Sequence, residues 1–368
     1  MQPKTEQLIR ESIRGVSEVS AGSRGLNFDR LPAWTKPHHQ HDGLTGQVAA
    51  QGSGVRLELL TSATEIALTY RSLRDNPQRP SVVTAVSGDH EVSITHTDGD
   101  LRLWSIDGTF EFVAGVDSVA IINLPPAATA RAVSIWLPHD CAIEIIDLSA
   151  DAEISPATNK PFTWLHYGSS ISHCVEANEP TGVWPSRVAI DLGLNLVNLG
   201  LAGSANIEYF AAKTIATTPA DLITLKLGIN VVAGATMTRR TFVPAVQAML
   251  DIISKAQPEA KIVVISPIYC PGLETQPGPA LTTFDGKVIG SEYSGVDWVG
   301  ELTLSEVREL LAGIVRQRAD SNLCYLDGLE LFREGDVDLM PDHLHPNAEG
   351  YLLMAERAKR LLFSDVLS

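Results

Sequence analysis

Basic residues are scarce in this chain of 368 residues: Lys and Arg number 28 against 44 Asp and Glu, a formal charge of −16 at neutral pH. Nucleic acid and anionic membrane surfaces carry negative charge of their own, so both are poor partners for it. Cysteine is scarce too. Cys141, Cys174, Cys270 and Cys324 lie far apart, with no CxxC pair and no disulfide-type spacing. That usage fits a reducing, cytoplasmic setting. Cys174 and Cys270 both follow expected strand ends, which leaves a contact between them open. No window holds the run of about 18 apolar residues that a membrane span needs. The opening MQPKTEQLIRESIRG is broken every few positions by polar residues and lacks an apolar h-region, so no signal peptide is expected. No repeat or low-complexity segment stands out. No P-loop is present and no GxGxxG follows a strand, so no nucleotide cofactor is implied. His38-His39-Gln40-His41 lacks acidic or Cys partners at fixed spacing, so no metal is expected either.

What is there changes texture near residue 155. Segments 55–60, 65–70, 81–86, 90–95, 101–106, 118–124, 132–137 and 142–148 are short and rich in Val, Ile, Leu and Thr. Breakers such as Asp75-Asn76-Pro77, Ser87-Gly88-Asp89 and Asp98-Gly99-Asp100 separate them. Short strands with turn chemistry at regular intervals predict a β-sandwich or jelly roll over residues 1–155. The polar stretch 155–160 reads as a linker. Residues 156–368 then alternate strand and helix. Apolar runs at 162–167, 195–199, 222–227, 261–266 and 323–326 predict five buried strands. Helices are expected from Trp184-Pro185, around 207–215, over 240–255, after the capping box Thr303/Glu306, and after Asn347. The fold class is therefore α/β: a three-layer α/β/α domain with a five-stranded parallel sheet, preceded by a β-sandwich. Ligands of such a sheet sit beyond the carboxyl ends of its strands. The Gly- and Pro-rich stretch 271–298 is a candidate lid or substrate wall.

Four short blocks fall at that carboxyl edge: Gly168-Ser169-Ser170-Ile171-Ser172, Asn198-Leu199-Gly200-Leu201-Ala202-Gly203, Gly228-Ile229-Asn230, and Asp342-His343-Leu344-His345-Pro346. Serine is a weak nucleophile until a base takes its proton, and histidine suits that task near neutral pH. Asp342 lies three residues before His345. On a turn, that spacing lets the carboxylate hold one imidazole nitrogen and aim the other at a hydroxyl. These are the roles of a Ser-His-Asp triad. Attack on a carbonyl creates an oxyanion, which needs preplaced donors. The Ser170 N–H, the Gly203 N–H and the Asn230 side-chain amide are the candidates.

In these blocks the sequence resembles the SGNH hydrolases, also called GDSL esterases/lipases. GSSIS, NLGLAG, LGIN and DHLHP match the family's four blocks in order, across about residues 162–363. The resemblance implies Ser170 as nucleophile, Asp342 and His345 as its triad partners, and Gly203 and Asn230 in the oxyanion hole, with no cofactor. A β-rich N-terminus before such a domain is similar to the two-domain carbohydrate esterases of the family. The implied reaction is hydrolysis of a small ester, with an acetylated saccharide one candidate substrate. Two departures stand out: Ser169 replaces the usual Asp of GDS, and Val231 replaces the Asp that often follows Asn230.

Other readings of single residues remain open at this stage. Ser169 and Ser172 compete with Ser170, and His343 with His345. Asn230 also suits a helix cap, and Gly203 a plain turn. His173 is either a pocket residue or a surface helix residue. Trp184 and Trp298 are either sugar contacts or core aromatics. Asp221 and Asp327 flank strands and suit caps or turns. A non-catalytic ligand-binding protein and an acyltransferase using the same residues are the alternatives in function. Nothing in the sequence sets the oligomeric state.

Overall fold

The computed structural model describes residues 1–105, 107–158, 160–296 and 299–364. Contacts divide it into two units: Met1–Pro161 with Asn178–Ser186 and Asn195–Asn198, and Phe162–Ala177 with Arg187–Leu194 and Leu199–Ser368.

The first unit is rich in strands. Alternation produces them: Glu65–Arg74 buries every second residue, as does Ser118–Asn123. One sheet contains Arg56–Thr61, Arg131–Trp136, Ser81–Ser87 and His90–His96; the other contains Ala142–Ala150, Glu65–Arg74 and Ser118–Asn123. Leu57, Leu59, Val133 and Ile135 from the first pack in one core with Ile66, Leu68, Ala120, Ile143 and Ile145 from the second, which makes a β-sandwich. All eight expected strands are present, with ends shifted by at most four residues, and Ile106 lies outside the described residues. Several features differ from expectation, including the strands Glu18–Ala21 and Leu26–Asp29 and the short helices Lys36–His39 and Thr45–Ala49, which were not anticipated. The chain begins with a helix, Pro3–Ser12, whose Ile9 is buried. The strand Phe110–Val113 was not anticipated; all four of its residues are exposed, so no burial alternation marks it. The stretch 155–160 is no simple linker. Ile154–Pro156 pairs antiparallel with Arg56–Thr61, and Lys160 Nζ lies 3.3 Å from Glu58; Asn159 is outside the described residues.

The elements that build the α/β sheet are numbered here from its first strand. They are β1 (Thr163–Gly168), α1 (Ser170–His173), α2 (Trp184–Leu192), β2 (Asn195–Gly200), α3 (Tyr209–Thr217), β3 (Leu222–Lys226), α4 (Ile229–Ala233), α5 (Arg239–Ala256), β4 (Lys261–Ile265), α6 (Leu304–Arg318), β5 (Leu323–Leu326) and α7 (Ala348–Leu362). The five-stranded parallel sheet has the order β2-β1-β3-β4-β5. β1–β3, β3–β4 and β4–β5 pair in parallel register, with Leu165 beside Ile223 and Ile223 beside Ile262. All of β3 is buried, as a strand covered on both faces must be. Strand order reverses at β1, and that switch point is where ligands of such sheets bind.

Local chemistry starts the helices where the sequence placed them. Thr303 and Glu306 form a reciprocal capping box on α6, and Asn347 accepts the Gly350 N–H at 2.9 Å to cap α7. α3 starts two residues later than expected, because Ile207 has φ 63° and cannot be helical. Asp221 and Asp327 serve as turn and cap acceptors for the Thr163 and Leu329 N–H groups, at 2.7 and 3.0 Å. Stretch 271–298 carries a small hairpin, Leu281–Thr282 with Val288–Ile289, and the Val288 N–H donates to the Asp342 carbonyl at 2.8 Å. Among the described residues no helix is long and apolar enough to cross a membrane.

Candidate active site

β1 ends at Gly168, and the chain turns at once into α1. A Cβ on Gly168 would meet Ser172 Oγ at 2.2 Å, so the turn needs glycine there. Ser169 is the N-cap, accepting the Ile171 N–H at a long 3.4 Å. Ser170 is therefore the first helical residue, and among the described residues its N–H has no backbone acceptor.

Ser170 Oγ lies 2.9 Å from His345 Nε2, and His345 Nδ1 lies 2.7 Å from Asp342 Oδ2. A carboxylate only accepts, so Nδ1 carries the proton and Nε2 accepts from the serine hydroxyl. Asp342 Oδ1 also accepts the Leu344 and His345 N–H groups, at 2.9 and 2.7 Å. One side chain thus shapes the turn that presents the imidazole and holds that imidazole's tautomer. Burial alone would raise the Asp342 carboxyl, but these hydrogen bonds and the charge of His345 outweigh it and bring it to about 2. Burial likewise pushes the His345 imidazole down. The Asp342 hydrogen bond and the charges of Glu176 and Asp342 more than offset it, leaving His345 above its usual value.

The other two blocks are tied to this pair through the backbone. The Leu201 N–H donates to the Gly168 carbonyl at 2.7 Å, which fastens the end of β2 to the start of the serine turn. A Cβ on Gly200 would lie 2.5 Å from the His173 nitrogen. Gly203 sits in the following turn with φ 69°, exposed, and among the described residues its N–H has no backbone acceptor. Asn230 lies in α4 and its Oδ1 accepts the Ala205 N–H at 3.1 Å. That fixes the amide: the oxygen is engaged, and the –NH2 has no protein acceptor among the described residues. Asn230 is not the cap of α4, since Gly228 holds that position. Val231 fills a fully buried site.

The competing residues fall elsewhere. Ser172 Oγ lies 2.7 Å from His166 Nε2, as short as a reactive Ser–His pair, but both residues are fully buried and His166 Nδ1 meets the Thr224 hydroxyl at 2.7 Å. Burial and the nearby charge of Lys226 push His166 down to about 3, so it stays neutral. His343 sits at φ 65° beside Asp342. His173 and Trp184 are fully buried, which removes the surface reading of the first and the sugar-contact reading of the second. Trp298 lies outside the described residues. All four cysteines are free; Cys174 and Cys270 direct their thiols to the Ile171 and Leu344 carbonyls. His39 meets Thr35 Oγ1 at 3.3 Å, and no cluster of three metal-ligating groups occurs among the described residues. A hollow lined by Thr163, Thr217, Asp221 and Gln257 lies at the amino ends of the strands, away from Ser170.

Sequence reasoning missed Glu176. Its Oε1 is 3.9 Å from His345 Nδ1, and its Oε2 accepts the Tyr351 hydroxyl at 2.8 Å. Nothing in its neighbourhood in the chain marks it.

A part-buried serine at a strand-to-helix turn, linked through an imidazole to a carboxylate, defines a class of acyl-processing enzymes. Residues 166–353 match the GDSL-like lipase/acylhydrolase family; the chain belongs to that family and is an SGNH-type esterase. No curated protein matches the chain in sequence. Among solved structures it is similar to the salicylyl-acyltransferase SsfX3 from a tetracycline biosynthetic pathway. That pair is 24% identical over 96% of this chain and 94% of the other, with a TM-score of 0.78. A family two carbohydrate esterase from Clostridium thermocellum is 13% identical over 96% and 99%, with a TM-score of 0.60. An acetyl xylan esterase from the rumen bacterium Butyrivibrio proteoclasticus is 10% identical over 97% and 96%, with a TM-score of 0.51. At these identities the likeness is one of fold, and it spans both units.

Proposed function

We propose that the protein hydrolyses a carboxylic ester through an acyl-enzyme on Ser170. The observation that carries this is the relay Ser170 Oγ, His345 Nε2, His345 Nδ1, Asp342 Oδ2, with links of 2.9 and 2.7 Å. His345 Nε2 takes the serine proton as Oγ bonds to the acyl carbon. Asp342 holds the tautomer and stabilises the imidazolium. The Ser170 and Gly203 N–H groups and the Asn230 amide stabilise the oxyanion. The tetrahedral centre collapses, and the alcohol leaves with the proton from Nε2. Water then repeats the sequence and releases the acid. No step needs a cofactor.

For the acyl group we favour acetyl or another short chain, on a small sugar or metabolite. The carbohydrate esterase and acetyl xylan esterase named above share both units of the fold, and this supports that choice. The strand-rich first unit is assigned as an accessory domain, since every residue of the relay lies in the second. The alternative of a ligand-binding protein is disfavoured by a serine already hydrogen-bonded to an oriented base. Acyl transfer to an alcohol would use the same relay with a different second nucleophile.

The test is Ser170→Ala on a short-chain chromogenic ester. Turnover and fluorophosphonate labelling should both vanish while circular dichroism stays unchanged. Full residual turnover sinks the reading. Product analysis with an added alcohol separates hydrolysis from transfer.

A further inference from the structure

The triad histidine faces two carboxylates. Asp342 Oδ2 and Glu176 Oε1 both approach His345 Nδ1, at 2.7 and 3.9 Å. The shorter distance is a hydrogen bond; the longer one is not, so Glu176 acts on the ring by charge alone.

Its position is built. Cys174 ends α1 in the left-handed conformation, φ 61°, and the Ala177 N–H closes a turn on the Cys174 carbonyl at 3.0 Å. That turn brings Glu176 back over the site. The Tyr351 hydroxyl, on the buried face of α7, then holds Oε2 at 2.8 Å. The groups around the imidazole are the Ser170 hydroxyl, the two carboxylates, the Tyr351 phenol behind Glu176, and the Cys270 thiol directed to the Leu344 carbonyl. Cys174 and Cys270 are fully buried; burial, ahead of every nearby charge, pushes the Cys270 thiol up to about 12, so it is neutral. Among the described residues, Glu176 is then the charge besides Asp342 that acts on the ring.

We propose that Glu176 is a positioning residue of the reaction: a second carboxylate that stabilises the imidazolium formed when His345 takes the Ser170 proton. This rests on the reading of Ser170, His345 and Asp342 as the triad. During attack the proton moves from Oγ to Nε2, and positive charge spreads over the ring. Asp342 meets that charge through the Nδ1–H bond, and Glu176 meets it across space. The Glu176 side chain is 31% exposed, so solvent screens part of its effect.

The experiment compares pH profiles of kcat/KM for the full-length protein and Glu176→Gln, a variant that keeps an acceptor for Tyr351. The base must be neutral to work, so activity rises with pH through the His345 titration. Removing a negative charge eases deprotonation, and the acid limb should move to lower pH by about half a unit. An unmoved limb overturns the inference even if the rate falls, because a structural role alone would give that result. In a second arm, Asp342→Asn should keep about tenfold more activity than Asp342→Asn/Glu176→Gln, because Glu176 remains to meet the imidazolium. Equal activities overturn it. Ser170→Ala separates the two readings. If that variant is active, the triad assignment fails; if it is inactive and the limb is unmoved, only the role of Glu176 fails.

Discussion

Asn230 serves two ends with one amide. Its oxygen takes the Ala205 N–H, and its –NH2 has no protein acceptor among the described residues, as the proposed oxyanion role requires. Asn230→Ala should therefore lower kcat by about 100- to 1,000-fold, the usual cost of losing one oxyanion donor. Asn230→Asp keeps the acceptor for Ala205 and removes the donor. It should fold normally and be at least as inactive, because a carboxylate faces the oxyanion. Steady-state kinetics beside a urea unfolding curve checks both.

His345 gives a prediction of the same grain. Asp342 and Glu176 hold it above its ordinary 6.5, so the acid limb of kcat/KM should have its midpoint above about that value. A midpoint well below it would mean that the carboxylates do not govern the base. The grouping of Ser170, Asp342 and His345 was legible in the sequence because short contiguous blocks carry these residues. Glu176 was not, because its role depends on where a turn lands rather than on its neighbours in the chain.

At the scale of elements, α1 has only four residues and cannot hold itself in place. It is pinned from below by Ser172 on His166, and His166 by Thr224 on β3. Ser172→Ala removes that buried partner and should cost about 1–3 kcal/mol in urea unfolding. The nucleophile turn loosens with it, so kcat should fall more than KM changes.

In the sandwich, Arg56 Nε and Glu58 Oε1 form a buried pair at 2.6 Å, with the Ser134 hydroxyl on Glu58 Oε2 at 2.6 Å. Glu58→Ala leaves a buried guanidinium without its carboxylate and should destabilise by about 3–5 kcal/mol. Calorimetry of the full chain would register it. The strands and helices that the sequence located are those with clear periodicity, a continuous apolar run, a capping box or a turn dipeptide. Pro3–Ser12 escaped because its one fully buried apolar residue, Ile9, gives no readable period, and Phe110–Val113 because all of it is exposed.

For the whole molecule, the charge of −16 acts on substrates before contact. Added salt should raise kcat/KM for an anionic ester and leave that for a neutral ester nearly unchanged, since screening removes only the long-range repulsion. Equal salt responses would place the charge away from the approach path.

Composition, breaker spacing and four ordered blocks determined the fold class, the edge of the sheet that carries the chemistry, and the residues of the relay. Such signals are local, so a linear reading retains them. Only the tertiary structure decided which of two short Ser–His pairs is reachable, which way the Asn230 amide points, and that a second carboxylate stands beside the imidazole. Burial, amide orientation and a 3.9 Å approach between residues far apart in the chain are products of packing, and packing is set by the whole fold at once.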